Sequence, residues 1–70
     1  MKVPFFSAGD GSCAIVPNEL QTEVIVSVGT SERTVSYKDA LKAIKGLPRV
    51  GDGGNRVEAG RTLAKAIFNL

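Results

Sequence analysis

"TEVIVSVGTSERTVSYKDALKAIKGLP" runs from Thr22 to Pro48, and the change of period inside it decides the fold. Up to Val28 the side chains alternate. Val24, Val26 and Val28 fall on one side, Glu23, Ile25 and Ser27 on the other. That is the two-residue repeat of a strand, and β-branched side chains suit its pleated surface. GTSE (29–32) reads as a turn, and RTVS (33–36) as a short strand pairing back. From Tyr37 the repeat becomes helical, with Tyr37, Ala40, Leu41 and Ile44 on one apolar face. Ser36 stands at the N-cap position, and Asp39 places a carboxylate in the first turn, where the helix end is positive. Gly46 supplies a left-handed residue at the far end, Leu47 can fold back onto the last turn, and Pro48 prevents continuation. The spacing predicts a helix over 37–45.

The flanking segments extend this pattern in both directions. Towards the N-terminus, "KVPFF" (2–6) and "CAIV" (13–16) read as strands joined by "SAGDGS", whose Asp10-Gly11 pair is a turn signal. Pro17 ends the second strand, because it has no N–H to donate to a ladder. Towards the C-terminus, Asn55 is the expected N-cap of a second helix over 56–69, with Glu58 at the third helical position. Val57, Gly60, Leu63, Ala64, Ile67, Phe68 and Leu70 cover a wide arc of that helix, about half its circumference. Gly60 in a helix interior costs about 1 kcal/mol relative to alanine. A close backbone approach there would offset that cost. Strands followed by helices indicate an α+β fold. The expectation is one domain over 1–70, with a three- to four-stranded antiparallel N-terminal sheet packed against two C-terminal helices, 37–45 and 56–69.

Length and composition narrow the function classes. A chain of 70 residues is one domain at most. Its size allows burial of only about 60% of the surface exposed by the unfolded chain. Cys13 is the single cysteine and there is no histidine, so neither an internal disulfide nor a zinc ligand set is expected. Good local structure and self-association remain as sources of stability, and a homo-oligomer or a protein partner is expected. No apolar run is long enough to span a bilayer and no signal peptide is visible, so no membrane partner is expected. A lone thiol fits a reducing compartment, which makes the expected location cytoplasmic.

Catalysis finds little support in the residues. Cys13 lies in a strand without a histidine or nearby cations to activate it, so it reads as an inert core residue. The seven carboxylates are scattered over turns, caps and strand surfaces, and no two share a spacing that would perturb both. No catalytic residue, cofactor or metal is expected, and the chain reads as a non-catalytic binding or assembly module, expected to self-associate through its apolar helix or sheet surface.

The candidate binding residues are basic. Net charge is +2, but it is unevenly spread. Residues 1–32 set Lys2 against Asp10, Glu19, Glu23 and Glu32, whereas residues 33–70 set eight lysines and arginines against Asp39, Asp52 and Glu58. Two copies can therefore meet acidic part to basic part, or the basic half can meet an anionic partner. Lys38, Lys42 and Lys45 share one helical stripe, and Arg61 and Lys65 another. With Arg49 and Arg56 they form the set expected to contact phosphates if nucleic acid is the partner, the alternative reading. A further alternative is an anion- or nucleotide-binding loop over 51–56, where Gly51, Gly53, Gly54 and Asn55 precede a helix N-terminus. No P-loop pattern occurs there. The dinucleotide fingerprint also fails, since a helix precedes the glycines and Arg56 replaces the third glycine. The loop reads first as a joint between helices.

"YKDALKAIKGLP", the Gly-Gly turn and "AGRTLAKAIFNL" together resemble part of a von Willebrand factor A-type domain, over about half of the chain. In that family two helices flank a Gly-Gly loop whose threonine helps to bind a divalent metal. Here Asn55 or Val57 stands in the threonine position and the D-x-S-x-S metal motif is missing. The resemblance therefore implies helix-turn-helix construction and no metal site.

Overall fold

The computed structural model describes residues 2–49 and 56–70. Four strands, β1 (Phe6–Ser7), β2 (Cys13–Pro17), β3 (Glu23–Val28) and β4 (Ser31–Ser36), precede two helices, α1 (Tyr37–Ile44) and α2 (Arg56–Phe68). The strands form one antiparallel sheet in the order β1-β2-β3-β4. Both helices lie on one face of that sheet, so the chain is a two-layer α+β fold.

Register fixes which side chains meet the helices. Phe6, Ile15, Val26 and Arg33 form one cross-strand row, and Val24 and Val35 belong to the next. Ile15, Val24 and Val26 are buried, as are Ile44 of α1 and Ile67 of α2, which pack over them. Cys13 is buried within the same cluster, where it acts as a small apolar residue. The alternate rows face away from the helices: Ser7–Ala14–Ser27–Glu32, Val16–Ile25–Thr34 and Glu23–Ser36.

The turns differ from expectation in informative ways. Val28 pairs with Ser31, so the β3–β4 turn is only Gly29-Thr30, and β4 begins at Ser31 rather than Arg33. Gly29 has φ 63° at the first central position, as a type II′ hairpin turn requires. That turn matches the twist of the flanking strands and lets pairing continue to its edge. The β2–β3 loop is organised by Asn18. Its side-chain oxygen accepts from the amides of Thr22 (2.8 Å) and Glu23 (3.0 Å). Leu20 stands exposed in this loop.

The first strand is much shorter than the expected 2–6, being only Phe6–Ser7. Pro4 has no N–H to give a ladder, and the amide of Val3 donates instead to the Tyr37 hydroxyl, at 2.9 Å. The segment before Phe6 is therefore held against α1, with Val3 buried.

The helix ends follow local chemistry. The Ser36 hydroxyl accepts from the Asp39 amide at 3.1 Å, capping α1 as its sequence implies. At the other end α1 stops at Ile44, one residue before the expected limit. Lys45 (φ −61°, ψ 127°) and Gly46 (φ 85°) form a type II turn, closed by the Leu47 amide donating to the Ile44 carbonyl at 3.0 Å. Gly46 thus supplies the left-handed residue, and the turn brings half-buried Leu47 onto the core. The expected N-cap of α2, Asn55, lies outside the described residues. Within α2 the residues facing the core are Gly60, Leu63, Ala64 and Ile67, four of the apolar arc read from the sequence.

Candidate functional site

Gly51, Gly53, Gly54 and Asn55 lie outside the described residues, so the loop reading stands on sequence alone. The basic residues are described, and the fold distributes them over two flanks of the helical layer. Lys38, Leu41, Lys42 and Lys45 line one open groove along α1. The three lysines are exposed and Leu41 is half-buried at its floor. On α2, Leu63 faces α1, since Leu63 and Ile44 line one cleft together. At about 100° per residue, Arg61 lies about 160° round the helix from Leu63, on the side away from α1. The expected stripes therefore do not merge. Lys38, Lys42 and Lys45 stand together, and Arg61 stands elsewhere.

Arg61 is also engaged. Its guanidinium donates to Asp10 in the β1–β2 loop at 2.9 Å. Asp10 additionally accepts from the Ser12 amide at 3.0 Å. The Ser12 side chain and amide hold the Asp10 pKa below its ordinary 3.8, and the Arg61 charge adds to the effect. The Ser12 hydroxyl lies near the carboxylate without a well-aligned hydrogen bond, so the amide contact is the one with defined geometry. Both partners of the ion pair are well exposed, so solvent screening keeps the pair weak. It ties a loop to a helix and leaves Arg61 less free for an anionic partner. Lys65, one helical turn further on, is exposed.

Arg49 borders a different feature. With Lys2, Pro4, Ile44, Leu47, Pro48 and Leu63 it lines a cleft of about 180 Å³ between the N-terminal segment and the two helices. Arg56 lies beside Phe5, Phe6, Ser7 and Val57, at the first turn of α2. Phe5 and Val57 are both exposed there.

Two features escaped the sequence reading. The sequence marks Arg33 as a strand residue and a positive charge, yet its guanidinium also donates to the carbonyls of Phe68 and Leu70, the latter at 2.6 Å, and lies 5.8 Å from the Phe68 ring centre. The signal was available in the pairing of β4, because Arg33 falls on the helix-facing row opposite Val26. The other feature is the outward sheet face. Val16 and Ile25 are direct cross-strand partners and each is 40% exposed. Glu23 and Glu32 flank them, and no lysine or arginine belongs to the outward rows. The strand pattern put Ile25 opposite the valines, but only the register shows that Val16 joins it.

Among the described residues no group of three or more His, Cys, Asp or Glu is placed to hold a metal. No helix among them is long and apolar enough to cross a membrane. The chain matches no protein-family model, no curated protein and no solved structure.

Proposed function

We propose that this chain is a non-catalytic binding and assembly module that associates with copies of itself. One observation carries the reading: one face of the sheet is covered by both helices, while the other leaves the Val16–Ile25 pair open to solvent. Two adjacent β-branched side chains in the middle of a sheet form a surface that gains from contact, at about 25 cal/mol per Å² of apolar area covered. Gly60, Leu63, Ala64 and Ile67 of the apolar arc of α2 are spent on the chain's own core, whereas Val16 and Ile25 stand as adjacent partners on the open sheet face. Small size adds motive, because a partner subunit supplies burial that the short chain lacks.

Sedimentation velocity over a range of protein concentrations tests the reading. The wild type is expected to shift to larger species as concentration rises. Ile25→Asp, on the open face, is expected to remain monomeric with an unchanged circular dichroism spectrum. A wild type that sediments only as monomer rejects self-association.

A second reading is kept because Lys38, Lys42 and Lys45 occupy one open flank of α1. That surface suits a phosphate backbone, and binding of nucleic acid through it would weaken steeply with salt. Absence of binding to duplex or single-stranded oligonucleotides at low salt discards it.

A further inference from the structure

We propose that the copies join head to tail, the open sheet face of one molecule seating on the lysine-lined flank of α1 in the next. This deepens the self-association proposed above and rests on it. The two surfaces are complementary in charge and in pattern. On the sheet, Val16 and Ile25 sit between Glu23 and Glu32, within rows that carry no basic residue. On α1, Leu41 lies at the floor of a groove whose other lining residues are Lys38, Lys42 and Lys45. Each surface is thus an apolar centre with charges of one sign around it, and the signs are opposite. Asp39 lies further round α1 and does not line the groove.

The spans agree as well. Lys38 and Lys45 are separated by about 10 Å along the helix axis. Four residues along a strand and one strand spacing put Glu23 and Glu32 about 14 Å apart. Flexible lysine side chains cover the difference. Lys38, Lys42 and Lys45 make no ion pair among the described residues, so no described carboxylate has to be displaced.

Neither surface suits itself. Stacking two sheets face to face brings Glu23 and Glu32 of both molecules into one layer while water is excluded. Pairing two α1 flanks does the same with six lysines. Like charges at an interface suppress such pairings and opposite charges favour the mixed one. A contact between two different surfaces is heterologous, so it closes into a ring or continues as an open chain, depending on the rotation between neighbours.

The test uses two charge-reversed variants, Lys38→Glu with Lys42→Glu, and Glu23→Lys with Glu32→Lys. All four positions are exposed, and a melting curve for each variant verifies folding. In sedimentation velocity the wild type is expected to assemble, and each variant alone to weaken assembly roughly tenfold or more. An equimolar mixture is expected to restore it, because each altered surface then meets one of opposite sign. If the lysine-reversed variant assembles as well as the wild type, the head-to-tail contact is wrong while self-association stands. Failure of the mixture to restore assembly likewise overturns the contact. A monomeric wild type overturns both proposals, and if it also binds an oligonucleotide through Lys38 and Lys42, the lysine flank belongs to a polyanion instead.

Discussion

Two residues carry the packing of the N-terminal segment. A β-carbon at Gly60 would overlap Cε1, Cδ1 and Cζ of Phe6, which is itself buried. The ring of the short first strand therefore rests on the α2 backbone. Gly60→Ala gains about 1 kcal/mol in helix propensity, but overpacking against a fixed ring costs about 1–3 kcal/mol. The clash is expected to win, so the variant melts lower than the wild type. Phe6→Leu in the same background is expected to recover part of the loss, because the smaller side chain vacates the space. Urea unfolding of the two single variants and the double variant measures that coupling. Tyr37 is the second such residue. Its hydroxyl accepts the buried amide of Val3, and Tyr37→Phe leaves that donor unsatisfied at a cost of about 1–3 kcal/mol. Exchange of the Val3 amide is expected to accelerate more than that of the β3 amides. The need for a close approach at Gly60 was legible in the sequence. The identity of its partner was not, because which residue meets it depends on how β1 crosses α2.

Between elements, polar contacts fasten the edges that the core does not reach. Arg33 joins edge strand β4 to the C-terminal turn of α2, where carbonyls lack helical partners. Arg33→Ala is expected to destabilise the fold by about 1 kcal/mol and to speed amide exchange in the last turn of α2. Arg33→Lys restores only part, since an ammonium lacks the planar fork and stacks less well on Phe68. At the opposite side the β1–β2 loop is fastened to α2 through Asp10 and Arg61. The Asp10 pKa is lowered on folding, so its contribution is present above 3.8 and fades as pH falls through the lowered folded value. Asp10→Asn is accordingly expected to be less stable than wild type near neutral pH, with the difference closing in acid; denaturant midpoints along a pH series report it. The elements themselves were readable wherever one signal sufficed. The alternation of 24–28, the Ser36 cap and Gly46 each describe local chemistry, and β3 and α1 appear where those residues put them. The first strand is shorter than its composition implies: "KVPFF" has strand composition, whereas Pro4 and the Tyr37 hydroxyl decide where its backbone goes. The basic stripes were legible as stripes, yet a helical wheel cannot show that Arg61 turns towards Asp10 while the α1 lysines border the other flank.

On the scale of the molecule the layers divide charge as well as shape. The outward sheet rows carry only carboxylates as charged groups, and the α1 flank carries lysines. Such a division has a thermodynamic consequence if copies assemble through these surfaces. Association favours the folded chain over the unfolded one, so it raises the melting temperature as protein concentration rises. For a domain of this size, each 1 kcal/mol gained shifts the midpoint by about 4–8 °C, which scanning calorimetry resolves. Salt then separates the forces. Exposed charges are screened within about 10 Å at 0.1 M ionic strength and within about 3 Å at 1 M. A contact guided by opposite charges weakens over that range, whereas burial of Val16 and Ile25 alone does not. The expected result is a melting temperature that climbs with concentration at low salt and climbs much less at 1 M sodium chloride. A concentration dependence that persists undiminished at high salt would assign the association to apolar contact and leave the lysines of α1 without a part in it.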